Sequence, residues 1–209
     1  INGLTDGYNV GNSVGLGTNA LANDDGTNNY NTAVGASALA ATTTGQRNVA
    51  TGYQALFSNT TGNQNTATGT WSLYSNTTGI KNTASGYQAL FSNTTGNQNT
   101  ASGQYSLYTN TTGGQNIATG YEALYSNTTG VRNTATGMYA LKFNTTAIMN
   151  TATGYRALTT NTTGTRNTAT GNNALAYNTI GVYNTATGYS SLEANTTGTK
   201  NIGIGYTAN

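Results

Sequence analysis

The sequence predicts an all-β fold: a parallel β-solenoid (a β-roll or β-helix) built from about 11–12 coils stacked as a single continuous domain. Three observations predict it. The phrase "NTATGTWSLYSNTTGIK" at Asn65 is followed directly by "NTASGYQALFSNTTGNQ" at Asn82, and this 17-residue spacing runs without insertion. "N-T-A-T-G" alternates with period two, a strand signal. The chain has 28 Gly and no Pro, as uninterrupted β pairing requires, because Pro removes a ladder hydrogen bond.

Each unit is numbered from its opening Asn, which falls at Asn31, Asn48, Asn65, Asn82, Asn99, Asn116, Asn133, Asn150, Asn167, Asn184 and Asn201. Seventeen residues are too few for two packed helices, since helical repeats need roughly 33, and Gly and Asn at this density oppose helix. The pattern predicts a short strand at positions 1–4, a turn at Gly 5, a second strand near positions 8–13 and a turn at Gly 15. Both glycines are expected at positive φ.

Ala 3 and Leu 9 are expected to point inward. The Leu column is Leu39, Leu56, Leu73, Leu90, Leu107, Leu124, Leu141, Leu158, Leu175 and Leu192. Such a narrow core cannot fold one coil alone, so stability is a sum over neighbouring coils. Asn at positions 1 and 12 is expected at corners, its amide bonding the coils above and below. Residues 1–30 form an atypical N-terminal capping coil, with an 18-residue unit from Ser13, ahead of the regular array at 31–209.

Composition narrows the chemistry. Charged residues are 6% of the chain, seven basic and five acidic, for a net charge of +2. That is too weak and dispersed for nucleic acid. Without Cys or His the chain has no disulfide framework and lacks the usual zinc, copper and iron ligands, so no cofactor is expected. Catalysis lacks material: no His activates the many hydroxyls, and Glu122 and Glu193 stand about four coils, roughly 19 Å, apart. No apolar run approaches the ~20 residues of a membrane helix. The chain begins at Ile1 with no visible signal peptide, which predicts a segment excised from a longer protein.

The surface positions offer several candidate sites. An aromatic stripe alternates between position 6 (Tyr53, Tyr87, Tyr121, Tyr155, Tyr189) and position 7 (Trp71, Tyr105, Tyr139), beside Phe57, Tyr74, Phe91, Tyr108 and Tyr125 at position 10. Tyr53, Trp71, Tyr87, Tyr105, Tyr121 and Tyr139 are a candidate glycan face. The competing reading is a stack that only stabilises the sheet or a subunit seam. Identity of Gly52–Ala67 with Gly86–Ala101 points to duplication of a two-coil unit.

Thr66, Thr68, Thr134, Thr136, Thr151, Thr153, Thr168 and Thr170, with Thr185 and Thr187, form two columns that suit an ice-binding face. They equally suit plain β propensity or a subunit contact. Position 17 carries Arg47, Lys81, Arg132, Arg166 and Lys200, about 10–14 Å apart. That spacing, roughly a Debye length, is read as solubilising charge. The "NTT" triplets at Asn59, Asn76, Asn93, Asn110, Asn127, Asn144, Asn161 and Asn195 match the N-glycosylation sequon but are better read as the corner ladder. "NDDG" at Asn23–Gly26 is read as a turn rather than a Ca²⁺ site.

The segments "GNSVGLGTNAL" (Gly11–Leu21), "NTAVGASAL" (Asn31–Leu39) and "NIGIGYTAN" (Asn201–Asn209) resemble the head repeats of trimeric autotransporter adhesins. The longer phrase looks like the arrays of phage tail-fibre-like proteins. The resemblance implies a left-handed parallel β-roll, three chains to a rod, and an extracellular place on a cell surface or virion fibre. It implies a structural, adhesive role with partners in further copies of the chain. The aromatic stripe adds a surface glycan as a partner, and identical coil ends that can stack end to end leave a filament-forming surface protein as an alternative. That family prefers Val and Ile at positions 2 and 4. This chain keeps them at Val14, Val34, Val49, Ile117, Ile202 and Ile204 and has Leu16, but elsewhere it has Thr or Ser.

Overall fold

One three-residue strand per coil is all the regular structure the repeat makes, and the coils stack through it. A computed structural model describes residues 7–209, the first four as backbone only. Residues 1–6 of the expected capping coil lie outside them. The thirteen strands form one sheet in chain order. β1 (Gly7–Val10) pairs antiparallel with β2 (Ser13–Leu16). From β2 through β3 (Thr32–Val34) to β13 (Ile202–Ile204) every pairing is parallel. Like positions pair with like, for example Ala84 with Ala101. Twelve parallel strands at the usual sheet spacing give a rod about 50 Å long.

The eighteenth residue of the first unit is absorbed between Asp24 and Asn29. Asp24 Oδ1 accepts from the Gly26 N–H, and Asp25 Oδ1 from the Thr27 N–H and hydroxyl. These bonds make the loop an Asx-type turn and hold the Asp25 carboxyl below its ordinary pKa, chiefly through the Thr27 backbone. Ser13 stands in for the missing position-1 Asn, its Oγ accepting from the Asn31 N–H at 3.1 Å.

The core is as narrow as expected. Ala 3, the Ala or Ser at position 8, and Leu 9 are buried in every full coil, from Ala33, Ala38 and Leu39 to Ala186, Ser191 and Leu192. Strand residues 2 and 4 point out, giving the pattern exposed–buried–exposed in nearly every strand.

Two expectations are corrected. No second strand forms over positions 8–13; positions 6–11 are turn. Position 7 and Leu 9 adopt left-handed backbone, as in Gln88 (φ 54°) and Leu90 (φ 52°). Extended strand is therefore impossible there, yet the inter-coil ladder persists. The Gln88 N–H donates to the Thr70 carbonyl of the preceding coil, and the Leu90 N–H to the Ser106 carbonyl of the following one. A non-glycine left-handed residue costs on the order of 1 kcal/mol. Burial of the Leu side chain and the bonds these two N–H groups make to neighbouring coils offset that cost.

The second correction concerns Gly 15, which is not at positive φ, whereas Gly 5 is, at 124–136°. Gly 15 is small for a different reason. Its carbonyl accepts from both corner asparagines: Asn82 Nδ2 and Asn93 Nδ2 reach Gly96 O at 2.8 and 3.0 Å. A Cβ on Gly96 would run into Asn93 Oδ1 and the Gly113 carbonyl. Ala147 is the one Ala in this column, and there the Asn144 bond is stretched to 3.4 Å.

Both Asn ladders are present. At position 12 each Nδ2 from Asn76 onward donates to the preceding Oδ1, as Asn93 to Asn76 and Asn110 to Asn93, both 2.8 Å. At position 1 the backbone N–H donates to the preceding Oδ1, as Asn99 to Asn82 at 2.9 Å. The asparagines of seven NTT triplets, Asn59 to Asn161, are fully buried in this ladder. A glycan has no room on them in the folded rod.

Candidate functional site

Beyond the Gly 5 bend the aromatic residues leave the coil on one side. Rings at position 10 lie parallel: Phe57–Tyr74, Tyr74–Phe91, Phe91–Tyr108 and Tyr108–Tyr125 have centroids 5.1–5.3 Å apart and interplanar angles of 5–13°. The stripe at positions 6 and 7 runs alongside as a zigzag of edge-on and tilted contacts. It joins Tyr53, Trp71, Tyr87, Tyr105, Tyr121, Tyr139 and Tyr155 at 5.5–6.2 Å. Tyr105 bridges the two series, 5.7 Å from Tyr108. Trp71 is fixed further by donation from Nε1 to Gln54 Oε1 at 2.8 Å.

All six candidate glycan-face residues therefore belong to one continuous ring network. Tyr53 and Tyr87 are exposed, and Trp71, Tyr105, Tyr121 and Tyr139 half-buried. Ring–ring contacts of this kind contribute about 0.5–1.5 kcal/mol each beyond burial, so the network stiffens the rod. Its outer edges remain open to solvent.

The Thr columns lie on the outer face of the parallel sheet. Thr66, Thr68, Thr136, Thr151, Thr153, Thr168 and Thr170 are exposed and Thr134 is half-buried. No charged residue occupies positions 2 or 4 from Thr32 to Ile204. The apolar members, from Val34 at 37% exposure to Ile202 at 75%, share the same columns. A parallel sheet is usually covered on both faces; this one is covered on only one.

The basic residues at position 17 are solvent-facing. Arg132 Nε donates to Gln115 Oε1 at 2.9 Å, and Arg166 donates to the Tyr183 hydroxyl at 2.6 Å. Among the described residues no group of three metal-ligating side chains converges.

The charged cluster that sequence reasoning missed sits where the position-10 stack ends. After Tyr125 that column continues as Lys142 and Thr159, and position 7 carries Glu122 and Arg156. Lys142 Nζ lies 2.6 Å from Glu122 Oε2. It also lies 4.8 Å from the Tyr139 ring centroid and 5.2 Å from that of Phe143. The available signal was the run "LKFNTTAIMN" (Leu141–Asn150), which departs from the repeat phrase at Lys142, Phe143, Ala147, Ile148 and Met149.

Hydrogen bonding to the Glu122 carboxylate, aided by desolvation, pushes the Tyr121 phenol up to about 12. The folded pKa exceeds the unfolded value near 10. The stabilisation is therefore complete below pH ~10 and is lost as pH rises through about 12. In a phenolate absorbance titration, Tyr121→Phe should remove the latest step and Glu122→Gln should return it toward pH ~10. An unchanged late step in both variants would contradict the pairing.

No family model, curated protein sequence or solved structure matches the chain.

Proposed function

We propose that this chain is a segment of an extracellular adhesive fibre, the shaft or head of a fibrous adhesin or phage-type tail fibre, working as a homotrimer. The observation that carries the reading is the uncovered outer face of the parallel sheet. It is uncharged, continuous along about 50 Å, and edged with aliphatic side chains at Val14, Leu16, Val34, Val49, Ile117, Ile202 and Ile204. Parallel sheets are ordinarily covered on both faces, so a bare, uncharged face of Thr and Ser with aliphatic residues among them suits association, and identical copies satisfy one another along a periodic face. The likeness of Gly11–Leu21 and Asn201–Asn209 to adhesin head repeats supports three copies. The aromatic network, on the other side of the Gly 5 bend, then remains outward for attachment to surface glycans.

Native mass spectrometry of the whole chain is expected to give three times the chain mass, and Ile117→Asp, on an exposed position, to reduce that mass while leaving the folded coils intact. A single-chain mass for the unaltered protein would sink the trimer.

The Thr columns favour a second reading, an ice-binding face. The Thr pairs run unbroken from Thr134/Thr136 to Thr185/Thr187, with like residues about 4.8 Å apart. A monomer showing thermal hysteresis that Thr151→Arg abolishes would establish this reading instead.

A further inference from the structure

We propose that the cleft between Tyr139, Phe143, Tyr155 and Arg156 is a subsite for a sugar ring bearing a carboxylate. The proposal rests on the attachment reading above and assigns it a place and a ligand class.

In a repeat array the recurring residues serve the stack, so a local cluster of departures marks a task the stack does not require. Four departures meet here. Position 10, a ring from Phe57 to Tyr125, becomes Lys142 and then Thr159; position 11, Ser or Thr from Ser58 to Ser126, becomes Phe143; and position 7, Gln54, Gln88 and then Glu122 in alternate coils, becomes Arg156. Replacing a ring by Thr159 opens a cleft of about 210 Å³ lined by these side chains together with Tyr139 and Tyr155. Thr159 is itself buried and turned inward, its hydroxyl donating to the Tyr139 carbonyl at 2.8 Å, so it leaves the space empty and fixes the backbone beneath the Tyr139 ring.

The walls suit a pyranose. Tyr139 and Tyr155 stand 6.1 Å apart at 63° and offer angled apolar surfaces beside polar hydroxyls. Phe143, 44% exposed, closes a third side.

The charges select an acid. Lys142 is engaged by Glu122, which leaves that pair near neutral. Arg156, half-buried, has no carboxylate within ion-pair distance among the described residues. A planar guanidinium at the edge of an aromatic cleft matches a planar carboxylate through two parallel N–H···O bonds.

The test compares cellotetraose with its C6-oxidised counterpart, tetraglucuronate, by saturation-transfer NMR and titration calorimetry on the whole chain. Tetraglucuronate is expected to bind at least tenfold more tightly. Arg156→Gln is expected to erase that preference without loss of fold, because Gln54 and Gln88 occupy the same position with the same left-handed backbone. Arg156→Lys is expected to recover only part of it. Equal binding of the two sugars, a preference that survives Arg156→Gln, or no binding of either overturns the subsite. The broader attachment reading is judged separately, by whether cellotetraose binding or cell binding is lost in a Trp71→Ala, Tyr105→Ala variant with wild-type Arg156.

Discussion

Leu90→Asp is expected to unfold the coils on either side of it, while Gln88→Asp, two residues away, leaves the rod intact. Leu90 is fully buried between Ala84 and Ala89 of its own coil and the neighbouring Leu73 and Leu107. Removing such a side chain costs about 2–5 kcal/mol. A carboxylate in its place adds several more, since no cation faces the column. Both stacking interfaces of that coil fail together, and a quasi-one-dimensional array has no distant contacts to compensate. Gln88 is half-buried at a surface position, and Asp accepts its left-handed backbone more readily than most residues. Its change is expected to stay within about 0.5 kcal/mol. Circular-dichroism melts of the two variants decide the matter; equal midpoints would show that the inside and outside of the coil are wrongly assigned.

Gly86→Ala is expected to cost about 3–5 kcal/mol, and Gly96→Ala distinctly less, although both glycines sit at bends. Gly86 has φ 136°, a region only glycine occupies comfortably. A Cβ there would also lie 2.8 Å from the carbonyl of Gly103 in the next coil. That obstacle is backbone inside the ladder, so relief requires moving two coils. Gly96 has ordinary backbone, so although a Cβ there would also meet the Gly113 carbonyl of the next coil and Asn93 Oδ1, it adds no φ strain. Ala147 already occupies the equivalent position, at the expense of one stretched hydrogen bond. Chemical denaturation of the two variants should rank them in that order; the reverse ranking would mean that crowding, not φ, governs the bends.

Much of the fold was legible because periodicity and residue chemistry agreed. The alternation at positions 2–4 located the strand, the invariant Leu located the core, and Asn at positions 1 and 12 located the corner ladders. The second strand was misread because nothing in Gln88 or Leu90 signals a left-handed backbone. Leu ordinarily avoids it, and only the stacked context, with its side chain buried and its N–H bonded to the following coil, makes it the better choice. Gly 15 was given the right size for the wrong reason, since crowding by two amides on one carbonyl is a property of neighbouring coils.

At the candidate site, the stripe from Tyr53 to Tyr139 could be read from spacing, but the angles between its rings could not. Lys142 and Arg156 were not legible because neither belongs to a recurring column, and the site lies where recurrence stops.

The edge-to-face zigzag from Tyr53 to Tyr155 constrains how such a protein changes length over generations. Slippage between identical gene segments adds or removes material in multiples of 17 residues, yet only even multiples keep each position-6 ring next to a position-7 ring. An odd step would bring like against like, the arrangement Tyr189 and Tyr206 adopt at 5.2 Å and 11°. Growth by pairs, in increments of about 10 Å, is thus the route that preserves the herringbone.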